Sequence, residues 1–428
     1  MKIKNKRILL LIGLLLSLLL IVVIVIASNR PLPGSGLPSA TVANASTITA
    51  GVGVSMVITE DGSLWSWGSN CYGQLGDGTT TNHQQPVRIM DDVASVSSSN
   101  GSISFDRPGR STVFVESNSH TMAITSDGVL WSWGIDLRTH PHSVVRNLHR
   151  PGRIVDNMIA GIIGPEAGND AFVRNLREPE KIMYNAVAAS GGGHAMAITS
   201  DGTLWAWGEN TDGQVGDGTE RYRTRPVEIL EDVIAVSTGS RHTMAITSDG
   251  VLWGWGRNSA GQLGDGTTED RSSPVEILDD IIAVSAAGSR TVAITSDGIL
   301  WGWGDNITGQ LGDGTTDFRN TPVEIMSDVV AVSASGSTTM AITSDGTLWG
   351  WGWNRDGQLG DGTTENRRQP VRIKDDVVTV SVSGTHTLAV TSDGVLWAWG
   401  NNSDGQLGDG TTENRLYPVR IMDGIRFP

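Results

Sequence analysis

The stretch "WGWGRNSAGQLGDGTTEDR", Trp253–Arg271, returns almost unchanged 48 residues later, beginning at Trp301. Trp-x-Trp-Gly begins at Trp65, Trp131, Trp205, Trp253, Trp301, Trp349 and Trp397, with 48 residues in each of the last four intervals and 66 and 74 in the first two. Such a period marks one supersecondary unit that buries its apolar face only by stacking on its neighbours. Composition agrees: 54 Gly and 15 Trp against 4 Tyr and 5 Phe is a repeat's skew, not that of an ordinary core.

Within one unit, "IAVSAAGSRTVAITSDGILWGWG", Ile282–Gly304, reads as three short apolar segments separated by turns. Asp-Gly joins the second and third segments in every copy, from Asp61-Gly62 to Asp393-Gly394, and is a strong hairpin signal. A fourth segment, as in Pro274-Val275-Glu276-Ile277, opens on a proline, which suits an edge strand because proline donates nothing to a ladder. Four antiparallel strands in each of seven copies predict an all-β chain, a seven-bladed β-propeller of four-stranded antiparallel blades, over residues 46–428.

Residues i and i+2 of a strand share a face, so the two tryptophans of each copy point together. The residue between them is always small: Ser66, Ser132, Ala206, Gly254, Gly302, Gly350 or Ala398. Each blade thus offers large knobs on one face and a hollow on the other, a pattern that stacks only if repeated. Burying one indole contributes roughly 4–6 kcal/mol at most. The single cysteine, Cys71, excludes an intramolecular disulfide, so burial must hold the domain together. The Ala/Ser/Gly-rich first segment, as in Ala331–Gly336, suits a crowded strand near the propeller axis.

The start of the chain is a separate object. Lys2, Lys4, Lys6 and Arg7 precede an uncharged run over residues 8–27, long enough to cross a bilayer as one N-terminal transmembrane helix. Residues 1–27 are expected to be a cytoplasmic basic tip and anchor, the alternative being a signal sequence removed after secretion. By the positive-inside rule the remainder is extracytoplasmic. Residues 28–45, rich in Pro and Gly, read as a linker. The chain carries a formal charge of −15, and the four leading cations leave −19 for the remainder, which argues against nucleic acid as a partner.

The run "TMAITSDGTLWGWGWNRDGQLGDGTT" from Thr339, with Gly-Gln-[Leu/Val]-Gly-Asp-Gly-Thr starting at Gly73, Gly213, Gly261, Gly309, Gly357 and Gly405, resembles the regulator of chromosome condensation repeat family over about residues 45–423. The resemblance implies a seven-bladed propeller that binds other proteins, without implying one activity. The family includes a nucleotide exchange factor for a small GTPase, a plant ultraviolet-B photoreceptor and a β-lactamase inhibitor protein. The photoreceptor relatives carry a tryptophan before the second strand, where this chain has Gly239–Thr243, "GSRHT". The exchange activity needs a GTPase that an extracytoplasmic domain does not meet.

No catalytic site, cofactor site or metal site is predicted. The Gly-Gln-Leu-Gly-Asp-Gly loop lacks a P-loop lysine and reads as a turn anchored by its leucine. A calcium-loop register around Asn402 and Asp404 would need acids at Gly400 and Thr411. His120, His194, His242 and His386 share one place in four copies and are expected to make structural hydrogen bonds. Arg223, Arg271, Arg319, Arg367 and Arg415 recur before the last strand, either as a partner-binding rim or in local pairs with Glu269, Asp317, Glu365 and Glu413. Departures from the repeat at about 97–118 and 135–183 are the leading binding candidates. The first carries Phe105, Arg107 and Arg110; the second carries Arg138, Arg146, Arg150 and Arg153 on an otherwise acidic body. The expected function is a membrane-tethered, extracytoplasmic, non-catalytic protein-binding propeller. The alternatives are a regulator or inhibitor of a secreted enzyme and, for a cytosolic domain, a guanine-nucleotide exchange factor.

Overall fold

A computed structural model of the chain describes residues 47–98, 120–135, 175–191 and 193–426. The strands form seven four-stranded antiparallel sheets, each built from four strands consecutive in the chain, as the repeat predicts. Blade 4 illustrates the unit, with strands Val233–Thr238, His242–Thr247, Leu252–Gly256 and Arg271–Leu278. The first strands of successive blades adjoin one another, so they ring the axis and the fourth strands lie outermost. The fourth strand starts three residues before the predicted proline, and Pro274 falls where the ladder skips between Gly254 and Gly256, so its missing N–H leaves no gap.

Trp253 and Trp255 stand opposite Ala245 and Thr243 on the second strand, whose small side chains leave room for the indoles. The hollow on the other face is lined from within the blade, because a Cβ on Gly254 would lie 3.1 Å from Met244 Cε and 3.2 Å from Ile277 Cγ1. Those residues then meet the next blade: Met244, Ile246, Leu252 and Leu263 of blade 4 cluster with Trp303 and Ala293 of blade 5. The tryptophans of a pair are unequal. Trp67, Trp133, Trp255, Trp303, Trp351 and Trp399 are fully buried, whereas the first of each pair is half-buried. Trp253 Nε1 donates to Thr247 Oγ1 of its own blade at 3.2 Å.

The ring closes through a strand made from two distant pieces. Blade 1 begins with Ile48–Ala50, only three residues long, and Ile425 bridges Thr59 beside it. Arg426 N donates to Ile58 O at 3.1 Å and Glu60 N donates to Gly424 O at 3.0 Å.

In blade 2 the excursion expected over 135–183 ends in the blade's own fourth strand, Asn175–Met183, where Ile135 pairs with Asn175. Ser97 and Ser98, expected in the first excursion, belong to the strand Val93–Ser98. The apolar run at 8–27 and the linker at 28–45 lie outside the described residues; among those described, no helix is long and apolar enough to cross a membrane.

Candidate functional site

The Gly-Gln-Leu-Gly-Asp-Gly-Thr loops run from the third to the fourth strand at one end of the ring, and each reaches across to the following blade. The leucine is the anchor: Leu263 and Leu311 are fully buried. Asn258 holds the turn, its Oδ1 accepting from Leu263 N at 2.9 Å and its Nδ2 donating to Asp265 Oδ1 at 3.0 Å. The Gln262 carbonyl then accepts twice from blade 5, from Trp303 Nε1 at 2.9 Å and Thr291 Oγ1 at 2.8 Å. Gly266 N donates to Asn320 O on the outer strand of the same blade. The loop is therefore a strap between blades. The carbonyl–indole bond recurs between Trp67 and Gln406, Trp133 and Gln74, Trp255 and Gln214, Trp351 and Gln310, and Trp399 and Gln358.

Blade 2 lacks the loop, and blade 3 shows the matching loss. Where its neighbours place Thr243 or Thr291, blade 3 has Ala195, with no hydroxyl to donate. Trp207, 3 % exposed, has no acceptor for its indole N–H among the described residues.

The histidines belong to the same joints. His194 Nε2 lies 2.7 Å from Thr243 Oγ1, His242 Nε2 3.0 Å from Thr291 Oγ1 and His386 Nε2 2.8 Å from Ser55 Oγ, each on the following blade. These hydroxyls give their one proton to the strap carbonyl, so the imidazole must be the donor at Nε2. Arg290 takes the same place in blade 5 and donates instead to Thr338 O and Thr339 Oγ1 of blade 6. The expected structural hydrogen bonds are thus inter-blade bonds. His120 has no described side chain.

The five recurrent arginines have other partners than sequence proximity suggested. Arg271, Arg319, Arg367 and Arg415 each place Nη2 2.7 Å from the aspartate of the preceding loop, Asp265, Asp313, Asp361 and Asp409, and Arg223 pairs with Asp217. Glu365 and Glu413 sit farther away, at 3.9 and 3.7 Å. In blade 1 the pair is His83 with Asp77 at 2.8 Å. Partial burial alone would raise the Asp265 carboxyl, but hydrogen bonds from Thr267 and Arg271 outweigh it and hold it below the usual carboxylate range. Each guanidinium pins its loop to the outer strand while staying about one-third exposed.

Phe105, Arg107, Arg110, Arg138, Arg146, Arg150 and Arg153 lie outside the described residues. The strap, with its buried acceptor carbonyl, was not foreseen. A backbone atom leaves no side-chain signature, although the joint loss of the blade 2 loop and the blade 3 hydroxyl is visible in the letters.

Residues 160–427 match the RCC1-like domain, and residues 61–103 and 46–74 match the regulator of chromosome condensation (RCC1) repeat. The chain belongs to the RCC1-like domain family. This RCC1-like propeller is 30% identical over 173 residues to human E3 ubiquitin-protein ligase HERC2, covering 40% of the chain and 3% of HERC2. It is 31% identical over 182 residues to the Arabidopsis thaliana ultraviolet-B receptor UVR8, covering 42% of the chain and 33% of UVR8. The chain therefore spans a third or less of these relatives. Among solved structures, human WBSCR16 superposes with a TM-score of 0.66 at 20% identity, covering 84% of this chain and 94% of that one. Prp20p from Saccharomyces cerevisiae, whose binding to Gsp1p and histones has been described, gives 0.65 at 17% identity over 86% and 88% of the two chains. At these identities the likeness establishes the shared fold.

Proposed function

We propose that this RCC1-like propeller is a non-catalytic protein-binding module, tethered by residues 8–27 to a membrane and lying on its extracytoplasmic side. The observation that carries the reading is the broken repeat. Six blades spend the loop between their third and fourth strands on strapping the next blade, and blade 2 alone replaces it with a segment holding Arg138, Arg146, Arg150 and Arg153. A sequence that gives up a structural joint while placing arginines on an acidic body has a use for them elsewhere, and arginine is favoured at binding hot spots. The repeated carboxylates of the loops are committed to Arg, Asn and Thr partners, which supports a non-catalytic role.

Changing the four arginines together to Ser is expected to leave the thermal midpoint within a few degrees and to weaken capture of the native partner, with a smaller difference at high salt. A collapsed midpoint with unchanged binding per folded molecule would make the segment structural and send the search to the other face. The tether has its own test. Protease added to cells with permeable walls should remove the propeller, because cations precede the apolar run; protection until lysis would favour a cytosolic domain acting on a small GTPase.

A further inference from the structure

The end of the ring opposite the straps carries a pattern that the strap joints do not use. In blades 3 to 7 the second residue of the first strand is an exposed aliphatic: Val187, Ile234, Ile282, Val330 and Val378, with exposures of 38, 38, 48, 56 and 39%. Their preceding neighbours, such as Val233, Ile281 and Val329, are buried. These strand starts sit beside the Asp-Gly turns, because Ile281 N donates to Gly250 O and Val329 N donates to Gly298 O, each at 2.9 Å. Since the first strands ring the axis, the five side chains form an apolar arc around one mouth of the propeller.

Charge on this end is divided by blade. Opposite the first tryptophan, the fourth strand carries Arg88, Lys181, Arg372 and Arg420 in blades 1, 2, 6 and 7. In blades 3, 4 and 5 it carries Glu228, Glu276 and Glu324. The arginines pair three residues on with Asp91, Asp375 and Asp423, which neutralises that half of the face. In the other half, Glu228, Glu231 and Asp232 lead into Ile234, Glu276, Asp279 and Asp280 into Ile282, and Glu324 and Asp328 into Val330. Among the described residues no cation pairs with these carboxylates.

We propose that this mouth, over the joints from blade 3 to blade 6, binds a basic polypeptide segment of another protein, with an apolar side chain seated on Ile282 and Val330 and flanking lysines or arginines facing the glutamates and aspartates. Exposed aliphatics on a soluble face are stabilised by being covered, and uncompensated carboxylates around them select a cationic cover and steer it. The proposal rests on the reading of the propeller as a protein-binding module but uses a different face from the arginine-bearing segment of blade 2, whose partner would be acidic.

The test is fluorescence anisotropy of a labelled peptide of four Lys-Leu-Lys repeats on the full chain in detergent, with a peptide carrying Glu for Lys as control. The triple variant Glu228→Arg, Glu276→Arg, Glu324→Arg places at each site the residue that blades 1, 6 and 7 already carry, so the fold accommodates it. It is expected to raise the Kd at least tenfold, as is Ile234→Ser, Ile282→Ser, Val330→Ser. Glu220→Arg, Glu269→Arg, Asp317→Arg makes the same charge change on the strap end and is expected to leave the Kd within about twofold. Equal weakening by that control, no effect of the serine variant, or no binding of the cationic peptide would each overturn the proposal. The readout involves neither the native partner nor Arg138 to Arg153, so failure here and failure of the blade 2 reading are separate results.

Discussion

Gly264→Ala should cost this propeller about 3 kcal/mol, whereas Gly266→Ala, two residues along the same loop, should cost about 1 kcal/mol. Both glycines have φ +80, so both substitutions meet the same left-handed backbone penalty. They differ in what a methyl group would touch. On Gly264 it would lie 2.7 Å from Trp303 Nε1 and 2.9 Å from Cδ1; on Gly266 the nearest atom is Thr321 Cγ2 at 3.9 Å. The indole has nowhere to go, being fully buried and bonded to the Gln262 carbonyl two residues before the glycine. Urea denaturation of the two variants measures the difference directly. Matching midpoints would mean that the strap does not seat the tryptophan and that the joint relaxes around the methyl.

Acid should act on the same joints. Burial pushes His242 and His386 down to about 3, so in the folded ring both stay neutral while the unfolded chain takes up a proton near 6.5. Their contribution to stability is therefore complete above pH 6.5 and is lost as the pH falls from there toward 3. Linkage makes the loss between pH 7 and pH 5 about 2 kcal/mol for each histidine. The loop aspartates, held below their usual range, add a second loss only below about pH 4. Urea midpoints of the wild type and of His242→Gln/His386→Gln at both pH values provide the check. The variant should start less stable and fall less, and a wild type as stable at pH 5 as at pH 7 would place the proton elsewhere.

The blade count and strand order were legible because each depends on side chains with a local signature: paired tryptophans at i and i+2, an Asp-Gly hairpin, a proline on the edge. Leu263 as loop anchor was legible for the same reason. Other features lie a level deeper. The partner of Arg271 is Asp265, six residues back and folded over it, rather than Glu269 two residues before it in the chain, because the loop reverses before the strand begins. The exposed Ile282 escaped a reading of the first strand as small and crowded, because the register shifts between Ile281 and Ala283 and breaks the alternation there. The pairing of Ile425 with Thr59 has no repeat to announce it, since it joins the first blade to a segment that follows the last blade in the sequence.

That pairing orders the making of the molecule. During synthesis the residues of blade 1 emerge before those of every other blade, yet the innermost strand of blade 1 stays incomplete until Gly424, Ile425 and Arg426 have left the ribosome. Blades 2 to 7 can each fold from consecutive strands as they appear, stacking on the one before, while Thr59 and its neighbours Ile58 and Glu60 wait with that part of the edge uncovered. The first blade begun is the last finished, and a chain stopped a few residues short would hold nearly all of its strands and still leave Ile58, Thr59 and Glu60 without the partners that complete that edge.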